Sequence, residues 1–425
     1  MRFAALALAP EARRFIPGFP PKGARLFLRP DLEISSFAEM VSGTDELVYR
    51  DQRVETLRWD GSVDLCLVRV GFGQERLAQE LTTELRRTGT SHLFFGPAVT
   101  SWGDSPPAWV GARVSGDLLN AWTDIRADVE DGALKPVYRA SRVPCYHPPK
   151  RGFGRWPSMH TQDQTTMFVQ GCSCPGSVRR FCSQQLYYGQ NRRVRTKDEI
   201  VGEVMTLPGK CIRLLDDDIS RSPDYYYDVF RSLWNYKKLW TVNASTDLFG
   251  QPELISLLAK AGTRVILLNE SFLDHRLFEA TRSERLVKHL YRKVKYLQSR
   301  RMLVGARATL VLTPGQADDF DQAASVLRRI DLDFIELRLI LEKGDAGPGL
   351  PGSARAGIRL VPATYEPMLD PSRPAWVVQQ FYTIGRILNR LARRPRRAGF
   401  YTTARFLLPY SLAYRQDFLE GVASV

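Results

Sequence analysis

Three cysteines crowd into one short stretch, Gly171-Cys-Ser-Cys-Pro-Gly-Ser-Val-Arg-Arg-Phe-Cys-Ser, which places Cys172, Cys174 and Cys182 in a single loop after an apolar run, TTMFV. Thiolate is the ligand that iron–sulfur clusters prefer, and three thiolates leave one iron of a 4Fe-4S cluster open for chemistry. Zinc would require a fourth ligand, for which the nearest histidine is His160. A cysteine-bearing loop without metal is the plain alternative. The other three cysteines differ in setting. Cys66 and Cys211 lie in apolar, strand-like runs and read as core residues, whereas Cys145 lies in a Pro/Gly/aromatic stretch with no evident partner. Six cysteines in 425 residues are too few for a disulfide framework. Clustered cysteines in a reducing compartment serve more often as ligands or catalysts.

Elements must hold such a loop, and the apolar pattern supplies them. The first 145 residues alternate strand and helix: the buried-strand run from Val63, the helical spacing of Leu77, Leu81 and Leu85, and the strand SHLFF leaving through Gly96 and Pro97. Strand, helix, strand at this spacing predicts a parallel, doubly wound sheet. A stretch from Pro144 to Pro157, PCYHPPKRGFGRWP, reads as a linker. Alternation resumes with strands near Lys210, Leu239, Thr263, Leu303 and Asp333, separated by helical patterns at PDYYYDVFRSLWNYKK, PELISLLAKAG and residues 277–300. Units of about 30 residues fit an open doubly wound sheet or part of a TIM-type barrel, with polar residues at the carboxyl ends of the strands. The expected layout is α/β: an N-terminal doubly wound sheet over residues 1–145, a linker over 146–160, a partial barrel over 161–345, and a helical, aromatic segment over 346–425.

The balance of 60 Lys+Arg against 46 Asp+Glu gives a net charge of +14, and 44% hydrophobic with 25% charged residues is an ordinary globular composition. The excess is local. Residues 150–200 carry nine Lys+Arg against three Asp+Glu, residues 276–307 ten against two, and residues 386–397 six against none. A basic setting around the cysteine stretch stabilises thiolates. The second cluster suits a solvated helix face or a docking surface for an acidic electron donor, and no zinc-finger or RRM signature points to nucleic acid. No run of about 18 apolar residues predicts a membrane span. The short apolar opening, MRFAALALAP, lacks the core and cleavage site of a signal peptide, so a cytoplasmic protein is expected.

The segment beginning at Thr165, TTMFVQGCSCPGSVRRFCSQQLYYGQNRRVRTKDEIVGEV, resembles the cluster loop of radical S-adenosylmethionine (SAM) proteins. It is most similar to the subclass with an N-terminal cobalamin-binding domain, which includes anaerobic magnesium-protoporphyrin cyclase and hopanoid methylase. LPGKCIRLLDDDIS, NASTDLFGQPELISLLAKAG, the Asn269-Glu-Ser turn and GARATLVL follow in the order and approximate spacing of that family. VDLCLVRVGF, HLFFGPAVT and GDLLNAWTDIRADVEDGALKPVY resemble its sheet domain.

The resemblance implies a cluster on Cys172, Cys174 and Cys182, and SAM held at the rim of the barrel. Asp216 and Asp217 would meet the methionine amino group, Asn243, Ser245 and Glu270 would end the third and fourth strands, and Arg307 would pair with the carboxylate. Capping of the next helix is the alternative role for the Asp triplet, and local pairing with an Arg for Glu270. An aromatic C-terminal tail would border the substrate cavity. The implied activity is radical chemistry on an unactivated carbon of a biosynthetic small molecule, such as a tetrapyrrole or isoprenoid, with methyltransferase activity if cobalamin is bound and flavodoxin or ferredoxin as electron donor.

Two departures stand out. The spacing is C-x-C-x7-C where the family has C-x3-C-x2-C, with Arg179 at the place of the middle cysteine. The lower-ligand motif DxHxxG is absent, His92 being the only histidine before the linker and placed as a core or strand-edge residue. The altered cysteine spacing keeps open a non-catalytic scaffold or partner of an active paralogue, and the net charge keeps open an RNA-modifying member.

Overall fold

The computed structural model describes residues 1–8, 31–41, 43, 45–52, 62–71, 74–148, 164–171, 183–207, 209–269, 284–312, 326, 329–342 and 358–360. The main division of the chain falls between Thr196 and Lys197, with a compact unit on either side.

The first unit is a doubly wound parallel sheet. Its elements are β1 (Arg2–Ala7), α1 (Leu32–Met40), β2 (Glu46–Asp51), β3 (Leu65–Arg69), α2 (Glu75–Arg87), β4 (His92–Phe95), α3 (Pro97–Ser101), β5 (Ala112–Ser115), α4 (Leu118–Glu130) and β6 (Val137–Arg139). The strands run in the order β2-β1-β3-β4-β5-β6, all parallel. The opening Phe3-Ala-Ala-Leu-Ala is an interior strand, covered on both sides. Phe3, Ala5 and Ala7 pack with Ile34 and Phe37 of α1 and Trp122 and Ile125 of α4. Ala4, Leu6 and Leu8 pack with Leu77, Leu81 and Leu85 of α2 and Val99 of α3. Small residues on β1 leave room for Trp122, whose ring meets Phe37 and Phe3 edge-on at 4.5 and 5.0 Å. Cys66 is fully buried on β3, and burial pushes its thiol up, as for an inert core residue.

The unit continues through β7 (Gln164–Thr166), β8 (Val169–Gln170), α5 (Ser183–Tyr188) and β9 (Arg193–Val194), with β8 and β9 antiparallel. Cys172, Cys174, Cys182 and His160 lie outside the described residues. Cys145 has a partner that the sequence did not disclose: its Sγ is 3.1 Å from Nε2 of His147, two residues on in an extended turn where both side chains fall on one side.

The second unit contains α6 (Lys197–Thr206), β10 (Cys211–Leu214), α7 (Pro223–Leu233), β11 (Leu239–Ala244), α8 (Pro252–Lys260), β12 (Thr263–Leu268), α9 (Glu284–Ser299), β13 (Leu303–Leu312), β14 (Phe334–Glu342) and β15 (Ile358–Leu360). Its strands follow the order β15-β14-β13-β12-β11-β10, parallel except for the β14–β15 pair. The strands read from the sequence near Lys210, Leu239, Thr263, Leu303 and Asp333 are therefore adjacent members of one sheet. The helical pattern of residues 277–300 forms α9 from Glu284 on, burying Val287, Leu290, Val294 and Leu297 and leaving Lys288 65% exposed. The C-terminal helical and aromatic segment lies outside the described residues apart from β15. Among the described residues no helix is long and apolar enough to cross a membrane.

Candidate cofactor sites at the carboxyl edges of the sheets

Parallel strands deliver their carboxyl ends, and the loops that follow them, to one edge of a sheet. In the second unit that edge carries the polar residues singled out from the sequence. After β10, Asp216 and Asp218 turn inward, 3% and 5% exposed, while Asp217 between them is exposed. This is the period-two alternation of extended backbone. Asp216 Oδ2 accepts from the Tyr226 hydroxyl at 2.6 Å, and its carbonyl accepts from Asn243 Nδ2 at 2.8 Å. Asp218 caps the short 3-10 turn Ile219–Arg221: its Oδ1 accepts from Ser220 N at 3.0 Å and from Ser245 N at 2.9 Å, and its Oδ2 pairs with Arg221 Nε at 3.1 Å. Ser220 Oγ bonds to Asp218 as well and lies 2.7 Å from Ser245 Oγ.

The sequence reading of Asp216, Asn243 and Ser245 as neighbours on one edge corresponds to this arrangement, in which Asp216 and Asn243 bond directly. It named neither Ser220 nor Tyr226 for the site, and it covered Asp218 only through the capping role given as the alternative for the Asp triplet, which Asp218 takes at the 3-10 turn. Asp218 was legible as a possible cap, since an Asp beside Ile-Ser-Arg ahead of Pro223 is a turn-starting pattern. Asn269 N reaches Ala244 O at 2.8 Å at the end of β12. Glu270 lies outside the described residues. Arg307 sits on β13 opposite Glu336 of β14.

In the first unit the strand order reverses at β1, with β2 on one side and β3 on the other. This switch point opens a crevice at the carboxyl ends, the usual ligand position in such sheets. Arg69, the last residue of β3, stands there with Nε 2.9 Å from Asp31 Oδ2 and 2.5 Å from Glu33 Oε2. Burial opposes its charge, but the two carboxylates outweigh it and hold the guanidinium more firmly protonated than usual. Burial pushes the Glu33 carboxyl up, Arg69 draws it back, and Asp31 adds to the rise. Two buried tyrosines from α5 complete the edge. Burial and the Glu33 carboxylate push the Tyr187 phenol up, and Tyr188 donates a hydrogen bond from its hydroxyl to Asp117, the N-cap of α4. Burial raises the Asp117 carboxyl, against the lowering effect of Tyr188.

Beside these groups lies a cavity of about 590 Å³, lined by Thr100, Ser115, Gly116, Arg139, Arg142 and Tyr187 among others. Its size is that of a small-molecule pocket. Two glycines shape this edge. Gly96, at the end of β4, has φ +114 and would place a Cβ 2.6 Å from Val70 O, and Gly116, after β5, would place one 2.8 Å from Ala140 Cβ. Both glycines let the chain pack against itself, Gly96 on the Val70 backbone and Gly116 on Ala140, and Gly116 also lines the cavity beside polar side chains. His92 is at the opposite, amino end of β4, its Nδ1 3.0 Å from Thr90 O and its ring edge-on to Phe94. Burial lowers its pKa, consistent with the strand-edge role read from the sequence.

No family model matches the chain. Among solved structures, the radical SAM methyltransferase TsrM from Kitasatospora setae, with tryptophan substrate and a SAM analog bound, superposes with a TM-score of 0.53 at 14% identity, covering 80% of this chain and 74% of that one. TsrM with cobalamin and a [4Fe-4S] cluster bound gives the same score and identity, over 80% and 76%. The chain has the fold of a cobalamin-binding radical SAM methyltransferase. At the level of sequence it is 22% identical over 255 residues to the bacteriochlorophyllide d C-12(1)-methyltransferase of Chlorobaculum tepidum. That match spans 57% of this chain and 56% of the relative, so the chain matches little more than half of the curated protein's length.

Proposed function

We propose that the protein is a cobalamin-dependent radical SAM methyltransferase acting on an unactivated carbon of a biosynthetic small molecule, a tetrapyrrole, isoprenoid or other secondary metabolite, in a cytoplasmic, reducing setting. The observation that carries the reading is the ordered pair of carboxyl edges, one with a switch-point crevice and a glycine-shaped cavity, the other with a carboxylate, amide and hydroxyl cluster. They occur in a fold shared with a protein solved with cobalamin and a [4Fe-4S] cluster bound, and with a SAM analog bound.

Bound together, these cofactors supply one-electron chemistry and a transferable methyl group. The chain's own residues would do the rest. Cys172, Cys174 and Cys182 would hold the cluster. In the second unit the donor set suits the ammonium and hydroxyl groups of SAM. Asp218, Ser220 and Ser245 brace one another, while Asp217, exposed on the same edge, would face the ammonium group. Asn243 fixes the Asp216 backbone, and Glu270 and Arg307 would complete the set. In the first unit the cavity would take polar peripheral groups of cobalamin. His92 would contribute no cobalt ligand, because it lies at the wrong end of β4. The basic outer face of α9 would receive an acidic electron donor such as flavodoxin or ferredoxin.

Anaerobic reconstitution with iron and sulfide tests the proposal, followed by metal analysis and assay of deoxyadenosine on adding SAM and a reductant. Iron bound at three to four atoms per chain with deoxyadenosine release is the expected outcome. A chain that binds no iron, or whose visible spectrum is unchanged when all three cysteines become alanine, would be a non-catalytic relative, the reading that the C-x-C-x7-C spacing favours.

A further inference from the structure

Described residues on both sides of the segment holding Cys172, Cys174 and Cys182 are joined through Tyr188 to Asp117, at the carboxyl edge of the first sheet. Ahead of the segment, Gln170 of β8 donates through Nε2 to Cys145 O at 3.0 Å and to the Tyr188 hydroxyl at 2.9 Å. Gly171 follows with φ +99, where a Cβ would lie 2.4 Å from Asn191 O, and its N–H donates to Gln184 Oε1 at 3.2 Å. Behind it, Tyr188 is 2% exposed and donates a hydrogen bond from its hydroxyl to Asp117 Oδ2, while Asp117 Oδ1 accepts from Leu119 N at 3.0 Å. One phenol therefore joins the residue two before Cys172, the helix that follows Cys182, and the carboxylate that starts α4 at the carboxyl end of β5. The hydroxyl accepts from an amide and donates to a carboxylate, a polarised chain in a buried setting.

We propose that Tyr188, bonded to Asp117 and Gln170, is a positioning residue that fixes both ends of the cysteine segment to the carboxyl edge of the first sheet. The inference rests on the proposed function for its consequence, since this anchor would set where the cluster stands. The anchor itself is independent of it.

The test uses the full chain, before and after anaerobic reconstitution, with Tyr188→Phe, Asp117→Ala and Asp117→Asn. Asn retains an oxygen acceptor for the phenol, and Ala does not. In Tyr188→Phe and Asp117→Ala, amides of residues 183–190 are expected to exchange with deuterium about tenfold faster or more, from loss of a buried hydrogen bond to a charged group. Asp117→Asn should lie nearer the wild type. After reconstitution, the first two variants should take up wild-type iron while the EPR spectrum and midpoint potential of the reduced cluster shift. Space filling alone would move neither the spectrum nor the potential. Wild-type exchange in Tyr188→Phe, or Asp117→Ala matching Asp117→Asn, would overturn the anchor. Faster exchange with an unshifted spectrum and potential would overturn the positioning role. If the wild-type chain binds no iron, the proposed function fails, and the exchange comparison still decides the anchor.

Discussion

Asp216, Asp217 and Asp218 are chemically identical neighbours whose roles diverge because extended backbone turns them alternately inward and outward. Asp218 carries the structural load: without its carboxylate, the amides of Ser220 and Ser245 lose their acceptor inside the unit. Asp218→Ala should cost about 1–3 kcal/mol, read as a lowered thermal midpoint. Asp217→Asn, at an exposed position, should leave stability within about 0.5 kcal/mol of wild type. If Asp217 meets the SAM ammonium group, that variant should still weaken SAM binding about tenfold by calorimetry. Unchanged affinity would remove Asp217 from the site.

Glu33 allows a test of pH. A carboxyl whose folded pKa stands above its unfolded value binds protons more tightly when folded, so its contribution to stability falls as pH rises through that window. Burial is the main cause here. Glu33→Gln should therefore flatten the decline in thermal midpoint between the ordinary carboxylate range and neutral pH. An equally steep decline in the variant would show that Glu33 is not the group responsible.

The elements were read from the sequence unevenly, for physical reasons. The helix carrying Leu77, Leu81 and Leu85 shows a clear stripe, and it is α2. β1 was hidden because its run is apolar on every residue from Phe3 to Ala7, as burial on both faces demands, and such a run has no period to distinguish strand from helix or leader. Its small residues are explained only by Trp122, far along the chain. α5 is too short for periodicity, so nothing marked Tyr187 and Tyr188 as buried carboxylate partners. Glycines at strand ends were legible as exits but not as close contacts. Gly96→Ala is the sharpest test: it combines positive φ with a Cβ pressed on Val70 O, backbone that cannot move aside cheaply. A loss well above 1 kcal/mol is expected, measured as a fall of several degrees in the thermal midpoint, because the change wedges β3 from β4. A neutral result would mean that the turn after β4 relaxes freely.

At the scale of the whole molecule, the charge pattern and the order of the motifs were legible, because each is a property of sequence position. The cavity, the switch-point ion cluster and the Asp117–Tyr188–Gln170 chain were not, because each joins residues distant in sequence that only the sheet brings together. This separation of sources bears on how the proposed cofactors depend on one another. The described core of the first sheet is built from β1 with α1, α2, α3 and α4. The described partners of Tyr188, Gln170 and Asp117, and the described lining of the cavity all lie outside the 172–182 segment. A variant with Cys172, Cys174 and Cys182 together replaced by alanine should lose its iron–sulfur absorbance and deoxyadenosine formation, yet bind cobalamin with an affinity within about threefold of wild type, since less than about 0.7 kcal/mol of contact is removed. His92→Ala should likewise leave the visible spectrum of bound cobalamin unchanged, because the ring lies at the amino edge of the sheet. Loss of cobalamin along with iron would mean that the cluster loop itself forms part of the cobalamin site, and a spectral shift in His92→Ala would place the cofactor at the other edge of the sheet.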